Sequence, residues 1–344
     1  MSGAPARTVD IGVVGGGAWG SALATVARRA GAGVLLWARE AEVVAAINAG
    51  RGNPAFLPDV ALDRAIAATG DLADVARAAL LLLVVPAQHL RGVSAALAPH
   101  LAPATPIVVC AKGVETGSTK LMTELVAETL PGRPMAVLSG PTFAREVALG
   151  LPTAVTVASR DAALAAQLAR QLGGPTFRPY ASDDPVGTEI GGAVKNVLAI
   201  ACGIAMGRGL GDNARAALIT RGLAEMIRFG VAKGGRRETL IGLSGLGDLT
   251  LTCTSEQSRN LSLGMALGRG RKLADIIAER RSIAEGVDSA AALVALAARL
   301  GIEMPIAGAV DAVLNRGADI DATIAGLLQR PFRAESGDAI VAPG

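Results

Sequence analysis

A strand-like run, Val9 to Val14, feeds directly into Gly15-Gly-Gly-Ala-Trp-Gly20, and a helical stretch from Ser21 to Ala30 follows. This G-x-G-x-x-G spacing between strand and helix restricts the local fold sharply. Gly15 permits the tight turn, Gly17 lets the backbone approach a pyrophosphate, and Gly20 allows close packing of helix on strand. Three glycines alone are a weak signal. Their strand-turn-helix context favours a dinucleotide site over a ligand-free βα turn.

The alternation continues. Val34 to Trp37, Leu80 to Val85, Ile107 to Ala111, Met135 to Ser139 and Ala154 to Ala158 read as short strands separated by Ala-rich helical stretches. Such a pattern predicts a mostly parallel sheet with helices on both faces, and the continuously apolar runs suit strands buried on both sides. From Ser182-Asp-Asp-Pro185, a helix-cap signal with Pro in the first turn, the texture changes. Helices are expected at about 185–206, 213–233, 258–268, 287–300 and 305–316, by periodicity and Gly-rich turns. The fold class is therefore α/β: a Rossmann-like, doubly wound, mostly parallel sheet over 1–183, then an all-α domain over 184–330. The stretch 331–344 has weak periodicity and reads as a disordered tail.

Composition narrows the function. Lys and Arg number 33 against 30 Asp and Glu, and aromatic residues make up 2%, so neither basic runs nor stacking platforms for nucleic acid are present. Apolar runs such as Leu80 to Val85 are far shorter than the roughly 20 residues of a membrane span. The start lacks the apolar region of a secretory signal, which leads to an expectation of a cytoplasmic protein. Cys110, Cys202 and Cys253 fit neither a disulfide framework nor a zinc ribbon, and with only His89 and His100 no metal is expected. The Ala-rich helices of the second half offer a seam for a homodimer.

Three positions point to chemistry. The segment from Gly245 to Asn260 combines a flexible glycine loop, Asp248, five hydroxyls including Thr252, and Ser258-Arg259-Asn260 at a helix start. Arg supplies a donor fork for phosphate oxygens, and Ser and Asn add hydrogen bonds where anions are favoured, so this reads as a pocket for a small phosphorylated substrate. Lys195 interrupts a long apolar helix, Thr188 to Ile200. A lysine there either snorkels to solvent or serves a polar pocket as a proton donor, with Asp248 a candidate partner. Lys112 follows a buried strand end beside Gly113, among the turns that should converge on one cleft. After the second strand, Arg39 stands where it can meet a 2′-phosphate, which favours NADPH over NADH; the alternative is a solvated Arg39 with Glu40 opening the next helix.

With these residues in view, the chain resembles bacterial-type NAD(P)-dependent glycerol-3-phosphate dehydrogenases from about residue 8 to 330. The carriers are the Gly15–Ala24 loop and helix, Ala111-Lys112-Gly-Val-Glu115, Ser139-Gly-Pro-Thr-Phe-Ala-Arg-Glu146, Ala193-Val-Lys195-Asn-Val-Leu-Ala-Ile200, Gly211 to Met226, and Gly245 to Asn260. The resemblance implies reversible reduction of dihydroxyacetone phosphate to sn-glycerol 3-phosphate for phospholipid synthesis. It implies Lys195 as general acid/base with Lys112 its partner, alongside Asp248 and Thr252. Gly140, Thr142, Asp248, Ser258, Arg259 and Asn260 match substrate-contacting positions, and Trp19, Arg39, Lys112, Ala144, Arg259, Ile283 and Glu285 match dinucleotide contacts. Ala18 stands where many members have Ser, so one side-chain contact is in doubt there. A related dehydrogenase for a 3-hydroxy acid or sugar nucleotide, and a non-catalytic NAD(P)H sensor, are the rival readings; the sensor has no reason to keep Lys112, Lys195, Asp248 and Arg259 together.

Overall fold

The computed structural model describes residues 9–279 and 284–331. The expected tail, 331–344, lies outside the described residues from 332 onward. Eight strands form one sheet: β1 (Ile11–Val14), β2 (Val34–Trp37), β3 (Ala67–Thr69), β4 (Leu80–Leu83), β5 (Ile107–Val109), β6 (Met135–Ser139), β7 (Thr153–Ala158) and β8 (Phe177–Ser182). Their order is β3-β2-β1-β4-β5-β6-β7-β8, and only the β6–β7 pair is antiparallel. The strand order reverses between β1 and β4, which is where ligands bind in doubly wound sheets.

The continuous apolar runs are buried on both sides, as their composition requires. Leu80 and Leu82 face one core and Leu81 and Leu83 the other, all at most 2% exposed. This is the period-two alternation of a strand sandwiched between helix layers. Two strands escape the sequence pattern. Ala67-Ala-Thr69 has little intrinsic strand preference and is held by its register against β2, Leu35 opposite Ala67. Phe177 to Ser182 contains Pro179, which is tolerated because β8 lies at the sheet edge.

The second half is built around the helix Pro185–Gly207. Asp184 caps it by accepting from Gly187 N at 2.9 Å, and its other oxygen accepts from Arg236 N at 2.8 Å. Its length and composition would suit a membrane span, yet 83% of its most apolar window is buried within the protein, as in the core helix of a globular domain. The helices Gly211–Ala232, Arg259–Gly268, Glu285–Arg299 and Pro305–Asn315 pack around it. All begin within two residues of their sequence-predicted starts. Periodicity did not reveal Arg237–Leu240, Asp248–Thr254, Leu273–Ala278 and Ile320–Leu328, three of which span less than two turns.

The two halves are stitched together at several points. Val114 and Leu121, from the loop after β5, sit in the core of the helical half. Glu189, buried on the central helix, accepts from Thr123 N at 2.8 Å and from the Thr123 hydroxyl at 2.5 Å, and burial raises its carboxyl to about 7. The helix Arg259–Gly268 crosses the central helix backbone to backbone: a Cβ on Gly264 would lie 2.2 Å from the Ile200 carbonyl oxygen. Gly264→Ala is therefore expected to lower stability by about 1–3 kcal/mol, despite alanine's better helix propensity. Urea unfolding checks it, and unchanged stability would mean that the two helices separate freely.

Candidate active site

The carboxyl ends of β1, β4, β5 and β6 form a contiguous rim. Gly15 has φ +133°, a region L side chains rarely adopt, and a Cβ there would lie 2.9 Å from the Val84 carbonyl carbon. Gly20 is equally constrained, since its Cβ would fall 1.8 Å from the Gly15 oxygen. Gly17 opens on free space and starts the helix Ala18–Arg29 with no side-chain cap and no acidic residue in the first turn. Exposed N–H groups at such a terminus favour an anion. Trp19 adds a buried indole N–H without a partner among the described residues. These features fit a dinucleotide pyrophosphate: Gly15 makes the tight turn and Gly20 the close packing that their spacing predicts, and the space beside Gly17 is open.

Where these strand ends meet the helical half lies a carboxylate held between two ammonium groups. Asp248, fully buried, accepts from Lys195 Nζ at 2.5 Å through Oδ1 and from Lys112 Nζ at 2.7 Å through Oδ2. Lys195 also donates to the Thr252 hydroxyl at 3.1 Å, and Lys112 to the Gly140 carbonyl at 3.2 Å. Five of the predicted catalytic and substrate positions thus meet at one point, with Thr142 next to them, its hydroxyl donating to the same Gly140 oxygen at 3.2 Å. Lys195 does not snorkel; it is 6% exposed. Burial pulls its ammonium down to about 8, against the opposing pull of Asp248, while the nearby charge of Lys112 lowers it further.

Local sequence explains the convergence. Two consecutive glycines in a helix interior weaken it, yet Gly191 and Gly192 are needed for contact. A Cβ on Gly192 would lie 2.9 Å from Ser139 Oγ and 3.3 Å from the Lys112 stem, and one on Gly191 would lie 2.2 Å from the Ser244 oxygen. The segment expected to be a flexible loop before Asp248 is instead a π-turn, Leu243–Gly247, that runs straight into the helix Asp248–Thr254. Its glycines serve close packing: a Cβ on Gly245 would meet the Leu240 oxygen at 1.8 Å.

Ser258, Arg259 and Asn260 begin the next helix, but their roles differ from one another. Ser258 caps it, accepting from Leu261 N at 3.1 Å. Asn260 is buried and spoken for: it donates to Asn196 Oδ1 at 2.9 Å and accepts from Gly286 N at 3.1 Å. Arg259 is exposed, and its charge acts on Glu285, whose carboxyl burial pushes up. Asn196 completes this network by donating to Glu285 at 3.4 Å. Sequence reasoning did not assign Asn196 a role; its place beside Lys195, one residue round the same buried helix, was the available signal.

Ala144 opens the helix Ala144–Leu149, partly buried against the same core as Trp19. Arg39, by contrast, is turned onto its neighbour: Nε and Nη2 donate to Glu40 Oε1 at 3.2 and 2.9 Å. Ile283 lies outside the described residues. Among the described residues no cluster of ligands could hold a metal ion.

Residues 10–165 match the N-terminal family of NAD-dependent glycerol-3-phosphate dehydrogenase, and residues 184–325 match its C-terminal family. A protein of Rhodospirillum rubrum named glycerol-3-phosphate dehydrogenase (NAD(P)+) is 62% identical over 328 residues, 95% of this chain and 94% of that one. The chain belongs to the NAD-dependent glycerol-3-phosphate dehydrogenase family. A Caulobacter vibrioides relative of the same name is 57% identical, over 95% of this chain and 98% of its own. The crystal structure of glycerol-3-phosphate dehydrogenase from Coxiella burnetii superposes with a TM-score of 0.90 at 41% identity, covering 94% of this chain and all of that one. The protein is accordingly an NAD(P)-dependent oxidoreductase of this family.

Removing the carboxylate would leave two ammonium groups facing each other. Asp248→Asn is expected to cost about 3–5 kcal/mol in urea unfolding at pH 7, because a buried charge is stranded. The lysine itself carries a sign that can be checked. Its folded pKa of about 8 lies below the ordinary lysine value of 10.5, so the unfolded chain binds more protons between those limits. Lys195 therefore makes stability rise with pH across that window, and a Lys195→Met variant should show a flatter slope there.

Proposed function

We propose that the enzyme reduces dihydroxyacetone phosphate to sn-glycerol 3-phosphate, reversibly, with Lys195 as the proton donor. The observation that carries this reading is the buried Lys195–Asp248–Lys112 triad, which joins the helical half to the strand ends that would hold a dinucleotide. A bound nicotinamide supplies the hydride. Lys195 Nζ gives a proton to the oxygen that becomes the new hydroxyl, and a group brought to about 8 is well suited to donate near neutral pH and to accept in the reverse direction. Lys112, with Gly140 and Asp248 fixing its ammonium, stabilises the same oxygen while it is negative. Thr252 and Asp248 hold Lys195 in one orientation.

Arg259 binds the substrate phosphate from the exposed start of its helix. Ser258 and Asn260, engaged in internal bonds, keep that helix start in place and form part of the pocket wall. Holding the phosphate away from the reacting carbonyl orients it for attack. Trp19, Ala144, Arg39 and Glu285 line the dinucleotide side. The same reading places residues 1–183 and 184–330 as coenzyme and substrate domains, the product in phospholipid synthesis, and the enzyme in the cytoplasm. The exposed Ala216 and Ala217 on the helix Gly211–Ala232 support a homodimer seam.

Purified protein mixed with dihydroxyacetone phosphate and NADPH or NADH should consume the nicotinamide absorbance, and a protein inert with both would refute the reading. Lys195→Ala should lose about 10²- to 10⁴-fold in kcat and still bind coenzyme; near-normal turnover would remove Lys195 from the mechanism. Arg259→Ala should chiefly raise KM for the phosphorylated substrate, by about tenfold or more, and an unchanged KM would dismiss its phosphate role. Reduction, which needs protonated Lys195, should decline in kcat/KM above pH about 8, whereas oxidation should rise through the same range. Parallel profiles in the two directions would contradict the assignment.

A further inference from the structure

The end of β2 carries an ion pair that the proposed chemistry leaves unused. Val14 of β1 lies opposite Trp37 of β2, and Gly16 packs against Ala38 so tightly that a Cβ on it would lie 2.4 Å from the Ala38 side chain. Arg39 and Glu40 follow at once, at the mouth of the glycine loop. Two of the three Arg39 donor nitrogens, Nε at 3.2 Å and Nη2 at 2.9 Å, converge on the single oxygen Oε1 of Glu40. Arg39 Nη1 and Glu40 Oε2 make no hydrogen bond among the described residues. Arg39 is 74% exposed and Glu40 27%, so this pair is held loosely by water-screened attraction.

We propose that Glu40 is the residue that keeps the site open to both NAD(H) and NADP(H). The inference rests on the dehydrogenase reading above. With a 2′-hydroxyl on the adenosine ribose, Glu40 Oε2 accepts its hydrogen bond while Oε1 keeps Arg39 in place, as an acid does at this position in NAD-binding folds. With a 2′-phosphate, the dianion offers Arg39 a stronger partner and draws the guanidinium off Glu40. The freed carboxylate then faces a like charge, which weakens NADP(H) binding relative to an arginine standing alone. Arg39 and Glu40 thus pull in opposite directions, and neither coenzyme is excluded.

The test is calorimetric binding of adenosine 2′,5′-bisphosphate and of ADP to the purified protein, with dihydroxyacetone phosphate-dependent oxidation of NADH and NADPH measured on the same preparations. Glu40→Gln keeps an acceptor for the ribose and removes the charge. It should tighten adenosine 2′,5′-bisphosphate by about tenfold and change ADP by less than about threefold. Arg39→Ala should weaken adenosine 2′,5′-bisphosphate by at least about tenfold, and in that background Glu40→Gln should lose most of its effect, because the two residues act on each other. Unaltered 2′,5′-bisphosphate affinity in Glu40→Gln, or equal tightening of both ligands, would overturn the role of Glu40. Absent turnover alongside the expected binding shift would instead overturn the dehydrogenase reading and leave the coenzyme assignment standing.

Discussion

A carboxylate with no solvent exposure, bonded to one lysine from each half of the molecule, is the constraint around which this protein is arranged. Taking three charges out of water costs more than their mutual attraction returns unless the geometry is close to ideal. Here each Asp248 oxygen serves one ammonium, and each ammonium has a further neutral oxygen, Thr252 for Lys195 and Gly140 for Lys112. The arrangement is incompatible with a gap between sheet and helices. Its cost is offset by apolar packing elsewhere, in a helical core that includes Val114 and Leu121 from the sheet side.

Several local oddities become intelligible from that requirement. A 23-residue helix with adjacent glycines in its interior is a poor helix on propensity, yet side chains at 191 and 192 would hold off the Ser244 backbone and the Lys112 stem. The π-turn before Asp248 widens the backbone by one residue at the point where the carboxylate must enter the triad, in keeping with the frequent use of such turns at functional sites. Burial on this scale also sets the chemistry. The same desolvation that makes an ammonium costly brings Lys195 to about 8, so one structural decision both closes the interface and suits the lysine to the proton transfer proposed for it.

Much of the chain was legible residue by residue, for physical reasons that differ from element to element. The β1 loop was readable because turn, close approach and helix packing each demand glycine at a fixed offset. Leu80 to Leu83 was readable because a strand buried on both faces has no room for polar side chains. Lys195 stood out because an apolar helix does not carry a charge idly. By contrast, β3 has only Ala67-Ala-Thr69 to declare it, and its pairing partner lies 32 residues earlier. The helix holding Asp248 is too short to display a period, and its glycines, read as flexibility, proved to be contact points.

Asn260 and Arg259 mark the division most clearly. Side-chain chemistry and spacing pointed to a doubly wound sheet before a helical half and to a first loop suited to a pyrophosphate, and singled out Lys112, Lys195, Asp248 and Arg259 as candidate site residues. Those conclusions follow from covalent structure and local periodicity, which are present in any stretch of chain. Which of the neighbours at a helix start turns inward to bond Asn196 and which remains exposed is a matter of long-range contact. The same holds for the pairing of Asp248 with two lysines that are 136 and 53 positions away. Only the folded packing brings such groups within 3 Å, and only there does desolvation act on them.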